Sequence, residues 1–239
     1  NNNLWIANSG TDNMLSVMKT DGSWKSYYIG TGGVDISRMM VDKNDNKWIL
    51  HREGIITLFN GNHKTISNSN GKGNLPGSAN CFATDNNGTV WVGTNDGIGL
   101  FYNSNNILNS STYNCSQILI PRKDGSGQAD YLLSGEEVLC IAVDGGNNIW
   151  FGTNNGALHT TNDGQTTLHH FTTENSPLLS NTVKNITIDS DGNVYFATDK
   201  GIISYKGTAS KGGDTNSNVI VYPNPVRPEY KGAVGIKGL

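Results

Sequence analysis

The sequence predicts an all-β protein built from five tandem copies of one small antiparallel sheet, followed by the opening of a second β domain. The first observation behind this is repetition. The phrase "TVWVGTNDGIGLF" at residues 89–101 has counterparts in "NLWIANSGTDNMLSV" near the start, "NKWILHREGIITLF" from Asn46, "NIWFGTNNGALHTT" from Asn148 and "NVYFATDKGIISYK" from Asn193. Its aromatic position is occupied by Trp5, Trp48, Trp91, Trp150 and Tyr195, at separations of 43, 43, 59 and 45 residues. A period near 43 residues, lengthened once, is the mark of a repeat architecture. The second observation is the grammar within one copy, where short apolar runs alternate with tight-turn residues. The third is composition: 30 glycines and only 15% charged residues suit many turns joining short strands, and argue against helical bundles.

The third copy shows how the elements follow. Residues 81–84 form an apolar run, Asp85-Asn86-Asn87-Gly88 a turn, and residues 89–94 a second run. Asn95-Asp96-Gly97 turns the chain again into a third run at residues 98–102. Asn-Gly and Asp-Gly supply the positive φ that tight hairpins need, so each turn reverses the chain between antiparallel strands. Runs of five or six residues rich in Val, Ile, Phe and Trp are long enough for strands and too short for helices. In the second run Val90 and Val92 point to one face and Trp91 to the other, so both faces must be covered. A small antiparallel sheet covered on both faces and repeated in tandem is a propeller blade. The prediction is therefore a β-propeller with about five four-stranded blades over residues 1–207. The anchors Trp5, Trp48, Trp91, Trp150 and Tyr195 are assigned to the core between blades.

The acidic residue ahead of each first turn also recurs, as Asp42, Asp85, Asp144 and Asp189. "DKNDN" from Asp42 imitates a calcium loop with Glu53 in twelfth place, but Lys47 stands where that loop needs Gly, and Lys200 replaces the acid after Asp189. Asp at a turn start bonds to its own backbone, so these are turn residues, and no metal or cofactor is expected. Cys81 and Cys140 each precede the recurring Asp by four residues. Equivalent places in adjacent blades are too far apart for a disulfide, so both are predicted to be small buried hydrophobes, with Cys115 unpaired.

The long interval between Trp91 and Trp150 is an insertion. Its first half is expected to supply the outer strand of the third blade around "SQILIPR", and the remainder is an enlarged connection. Loops on a rigid scaffold concentrate binding surfaces, so Tyr113, Arg122, Lys123 and Tyr131 are the candidate binding residues. In "TTNDGQTTLHHF" the neighbours His169 and His170 face opposite sides of a strand and cannot share one metal; outer-strand packing is their expected role. The hairpin at residues 160–166 resembles the Asp box of sialidase-like propellers, a structural turn without an active site. "GTGGVD" from Gly30 has no helix after it to receive a phosphate.

Past "GIISYKG" the chain becomes a polar linker, residues 208–218, and then "VIVYPNPVRPEYKGAVGIKGL" from Val219. "VIVY" and "GAVGIKGL" predict two strands separated by a proline-restricted stretch, too few for an independent domain. Because the chain opens on "NNNLWIA", without the first run of a repeat, it is expected to be a fragment. A net charge of −3 with no basic cluster gives no reason to expect nucleic acid, and no stretch is apolar enough for a spanning helix.

The pattern D-x-x-G-x-[VI]-[WY]-[VF]-[GA]-T-x-x-G-[IL], best kept at residues 85–98 and 189–202, resembles the two-component-regulator propeller repeat. Blade one, with Ser9-Gly10, and blade two, with "HRE", depart from it most. The tail "VYPNPVRPEYKGAVGIKGL" is similar to the start of the C-terminal sorting-type β-sandwich of type IX secretion, which would make residues 219–239 the opening of such a domain. Together the two resemble the PorZ-like surface components of that system. The resemblance implies a non-enzymatic, extracytoplasmic protein of the outer membrane or cell surface of a Gram-negative bacterium. It further implies a sortase-like protease or other secretion components as partners, and anionic lipopolysaccharide as a contact. The alternative is the periplasmic glycan-sensing domain of a hybrid two-component regulator, against which "YPNPVRP" argues. An enzyme finds little support, with no paired carboxylates off the turns and only Arg38, Arg52 and Arg122 ahead of the tail.

Overall fold

The computed structural model describes residues 2–30, 34–122, 124–210, 220–222, 224, 229–230 and 235–237. Five consecutive antiparallel sheets follow one another along the chain. The first contains β1 (Leu4–Ala7), β2 (Leu15–Met18) and β3 (Trp24–Tyr27). The second orders β4 (Ile36–Val41), β5 (Lys47–His51), β6 (Ile56–Asn60) and β7 (Asn62–Ile66). The third has β8 (Ala79–Thr84), β9 (Val90–Thr94) and β10 (Gly97–Phe101), followed by the short helix α1 (Ser104–Asn109) and the hairpin β11 (Leu119–Pro121) and β12 (Ala129–Tyr131). The fourth orders β13 (Val138–Val143), β14 (Ile149–Thr153), β15 (Gly156–Thr160) and β16 (Thr167–Phe171). The fifth has β17 (Val183–Ile188), β18 (Asn193–Thr198) and β19 (Gly201–Lys206). In the tail, β20 (Ile220–Tyr222) pairs antiparallel with β21 (Gly235–Lys237), the two strands read from "VIVY" and "GAVGIKGL".

The fold is all-β and propeller-like, but among the described residues only the second and fourth sheets carry four strands. The third blade shows why. Its outer strand shrinks to a single bridge between Leu100 and Ser116, and Leu119–Pro121 leaves the blade to pair with Ala129–Tyr131. The expected outer strand in "SQILIPR" is thus divided between two tasks. Ile118 and Leu132, at the base of the departing hairpin, are buried in the core between blades three and four.

The five anchors fall in one register. Within their sheets, Trp5 faces Val17, Trp48 faces Leu58, Trp91 faces Leu100, Trp150 faces His159 and Tyr195 faces Ser204. Four apolar clusters then form, each taking side chains from two consecutive sheets. The rings repeat the arrangement: Trp48 meets Phe101 at 5.6 Å, Trp91 meets Phe151 at 5.9 Å and Trp150 meets Phe196 at 5.6 Å. Trp48, Trp91 and Trp150 are fully buried, whereas Trp5 and Tyr195, in the first and last sheets, are half-buried.

The first strands share a further device. Each of β4, β8, β13 and β17 carries a bulge after its first paired residue, skipping Ser37, Asn80, Leu139 and Lys184. The bulge turns Cys81 Sγ toward the Val138 carbonyl and Cys140 Sγ toward the Val183 carbonyl, both at 3.8 Å, across to the next blade. All three cysteines are free, and burial pushes the thiols of Cys81 and Cys140 well above their ordinary range. Opposite Cys81 stands Gly93, where an added Cβ would lie 2.5 Å from the sulfur. These cysteines fill space between blades, as the sequence indicated.

Burial of the anchor rings sets the stability prediction. Trp91→Ala removes a ring packed between blades three and four and is expected to cost about 3–5 kcal/mol in denaturant unfolding. Trp24→Ala, at a residue 57% exposed, is expected to change stability by about 0.5 kcal/mol or less. Equal costs would contradict the inter-blade assignment.

Candidate functional site

The recurring carboxylates build one face of the molecule. Asp42 Oδ1 accepts the backbone N–H groups of Asn44 and Asn46, both at 2.9 Å. Asp85 does the same for Asn87 and Thr89, Asp144 for Gly146 and Asn148, and Asp189 for Asp191 and Asn193. The second oxygen reaches the anchor: Trp48 Nε1 donates to Asp42 Oδ2 at 2.9 Å, Trp91 Nε1 to Asp85 Oδ2 at 3.2 Å, and the Tyr195 hydroxyl to Asp189 Oδ2 at 3.1 Å. Each turn also needs one left-handed residue, supplied by Asp45, Gly88, Asn147 and Gly192. Among the described residues, no group of three or more His, Cys, Asp or Glu is placed to hold a metal ion.

Burial acts to raise the pKa of Asp42, but hydrogen bonds from Ser104, Trp48 and Asn46 outweigh it and hold the carboxyl below its ordinary value. Asp144 is likewise held down, by His159 and Asn148 against burial. At Asp189, where burial is slight, the bonds from Asn193 and Tyr195 lower it.

The insertion docks onto this face. Ser104 is fully buried, and its Oγ accepts from Asn46 Nδ2 at 2.9 Å and from Asn44 Nδ2 at 3.2 Å, fixing the start of α1 on the turn of blade two. Between the insertion and blade four lies a cleft of about 420 Å³ lined by Asn87, Trp91, Tyr102, Ile118, Asn162 and Asp163. A neighbouring cleft of about 350 Å³ includes Tyr102 again, with Asn103, Asn106 and Tyr113. Tyr102, 62% exposed, stands between the two as an aromatic platform edged with amides.

Of the candidate residues of the insertion, the three that are described have separate surroundings. Tyr113 is half-buried against the core of blades two and three, its hydroxyl donating to the Thr65 carbonyl at 2.6 Å. Arg122 forms a bidentate fork with Asp130, Nε to Oδ2 at 2.7 Å and Nη2 to Oδ1 at 2.6 Å, and its Nη1 donates to Gln128 Oε1 at 2.9 Å. Tyr131 is 45% exposed on β12, and Lys123 lies outside the described residues. Sequence reasoning missed Tyr102, whose signal was present: an aromatic directly after the third strand, immediately ahead of the insertion.

His169 also has a different partner from the one weighed in the sequence. His170 turns away and faces the Asn155 carbonyl at 3.3 Å, while His169 meets His159 across the strand pair at 3.1 Å. His159 occupies the place of Leu58 and Leu100 opposite the anchor, so a polar residue breaking an aliphatic position was its signal.

Three segments, residues 75–96, 132–155 and 177–200, match the two component regulator propeller repeat. The chain carries two-component-regulator propeller repeats. No curated protein sequence matches it significantly. Among solved structures it is similar to PorZ, an essential surface component of the type IX secretion system of Porphyromonas gingivalis. The identity is 26% over 99% of this chain and 35% of that one, with a TM-score of 0.73. The chain thus spans about a third of PorZ. The extracellular domain of the putative hybrid two-component system BT4673 of B. thetaiotaomicron is 20% identical over 92% of this chain and 27% of that one, with a TM-score of 0.55. Virginiamycin B lyase from Staphylococcus aureus is 19% identical over 85% of this chain and 66% of that one, at 0.51. These last two show a shared fold alone. Both PorZ and the BT4673 domain act outside the cytoplasm, and no helix among the described residues is long and apolar enough to cross a membrane.

The turn carboxylates predict an acid limit to stability. A carboxyl held below its ordinary value of 3.8 stabilises the fold fully above that value and loses the contribution as pH falls through the folded value. Chemical unfolding is therefore expected to show stability falling steeply below about pH 4, with a smaller fall in Asp42→Asn. An identical acid profile for the variant would contradict the role given to Asp42.

Proposed function

We propose that the chain is part of a PorZ-like surface component of type IX secretion, a non-enzymatic module that works by contact with secretion partners or surface glycan. The observation that carries this reading is the reach of the likeness. It extends over 99% of the chain, so it takes in the "YPNPVRP" tail as well as the blades. On this reading residues 1–207 are propeller, 208–218 the linker and 219–239 the opening of a sorting-type β-sandwich. The protein sits at the cell surface, with a sortase-like protease or other secretion components as partners and anionic lipopolysaccharide as a contact.

The site chemistry supports contact over catalysis. Each recurring carboxylate is committed to backbone N–H groups of its own turn, including Asp85 where it lines the cleft beside Tyr102. The contact surface is the insertion with the adjoining platform at Tyr102, where aromatic area and amide groups coincide. Arg122 is engaged with Asp130, so anion capture by this loop requires either exchange of that fork or Lys123. The regulator-type repeats favour a second reading, a periplasmic glycan sensor.

Deleting the gene from its own bacterium separates the two. Loss of type IX cargo from the cell surface, restored by the intact gene, is expected. Normal cargo display together with a lost transcriptional response to a glycan would overturn the secretion reading in favour of the sensor. For the surface itself, removal of residues 121–131 from the parent protein is expected to weaken lipopolysaccharide binding, measured by co-sedimentation; unchanged binding would take the insertion out of the contact.

A further inference from the structure

Blade four differs from its neighbours at the acceptor that holds the anchor. His159, 7% exposed, places Nε2 3.1 Å from Asp144 Oδ2, the oxygen to which Trp48 and Trp91 donate in their own blades. The indole N–H of Trp150 is consequently buried without a partner among the described residues. The Trp150 ring lies flat against the His159 imidazole, centroids 3.9 Å apart and planes within 9°. On the other side, His159 Nδ1 is 3.1 Å from Nδ1 of His169, its register partner on β16.

The geometry of the two imidazoles decides what lies between them. Their planes agree within 6° and their centroids are 5.4 Å apart. The excess over the 3.1 Å nitrogen separation is that of two ring radii, so the nitrogens point at each other along one line. A metal ion on that line would need about 2.0–2.1 Å to each nitrogen, more than the gap allows. The contact is a hydrogen bond with one proton in it.

Proton positions follow from the chain of acceptors. With Asp144 ionised, His159 donates through Nε2 and accepts at Nδ1, so His169 donates its Nδ1–H. One added proton leaves the chain intact. One proton still lies between the facing Nδ1 atoms, and the His159–His169 pair carries a single positive charge beside the Asp144 carboxylate and the Trp150 ring face. A second proton puts an N–H on both facing nitrogens, and the bond must break.

We propose that Asp144, His159 and His169 form a two-proton latch that holds the outer strand β16 on blade four and releases it on acidification. The titratable groups facing His169 are His159 from β15, Asp144 from the turn and Tyr205 from β19, whose ring is 5.7 Å away. Although His169 is solvent-exposed, partial desolvation and the neighbouring His159 hold it below the ordinary imidazole value of 6.5. A depressed histidine gives its full stabilisation above that value and loses it as pH falls from there through the folded value. The latch also forms one wall of a cleft of about 250 Å³ whose far side is Gly207, Thr208 and Ala209, where the chain leaves the last blade.

Amide hydrogen exchange on the full chain at pH 7.5 and pH 5, corrected for intrinsic rates, reads the latch. Protection of β16 is expected to fall about tenfold at pH 5 while that of β3, an outer strand without histidine, holds. His159→Leu installs the residue that blades two and three use, returns Asp144 to Trp150, and is expected to abolish the pH response. His169→Gln, which keeps a polar side chain but does not titrate, is expected to abolish it as well. No loss of β16 protection at pH 5 in the wild type, or the same loss in both variants, would overturn the proposal.

Discussion

In blades two, three and five a single carboxylate joins three things that would otherwise be independent: the shape of the first turn, the start of the second strand, and the position of the anchor ring. One oxygen takes two backbone N–H groups of the turn, and the other takes the donor of the aromatic residue six positions on. A charged acceptor in a mostly buried setting makes strong hydrogen bonds, and leaving one of its donors unpaired is costly. The ring so fixed becomes the floor on which the next blade packs. Register within a blade and packing between blades are therefore one constraint, repeated every forty-odd residues.

The remaining architecture follows from what each blade places around that constraint. The apolar clusters alternate with the sheets, so the second, third and fourth sheets contribute to the core on both faces and the first and fifth on one. The insertion joins the system through the same turns: Ser104 inserts beside Asp42, and Gly164 of the Asp-box hairpin packs on Ile118 and Leu132. A loop anchored at both ends on rigid turns presents Tyr102 and the β11–β12 hairpin with little freedom, the condition under which surface aromatics make strong contacts. Blade four is where the constraint is altered. An imidazole replaces an aliphatic side chain, captures the carboxylate, and exchanges a fixed donor for one that titrates.

Period, turns and anchors were legible because each rests on local chemistry. Asp-x-x-Gly fixes its own turn, and strand alternation decides which faces are apolar. The equivalence of Cys81 and Cys140 was legible for the same reason. What escaped depends on contacts between distant segments. Nothing local in "SNNILN" calls for a helix; α1 forms where Ser104 and Ile107 find buried places on blade two. The Arg122 fork with Asp130 needs the β11–β12 pairing, which withdraws residues 119–121 from the third blade. His169 was weighed against its neighbour in sequence, whereas its partner is ten residues away across the strand pair.

A double-mutant cycle compared between blades tests the central constraint most directly. Asp85→Asn and Trp91→Phe, singly and together, are expected to show a coupling of about 1.5–3 kcal/mol in unfolding free energy, because the indole N–H and the carboxylate act as one unit. The corresponding cycle of Asp144→Asn and Trp150→Phe is expected to show coupling near zero, since His159 occupies the acceptor. Comparable coupling in the two blades, or none in blade three, would contradict the account.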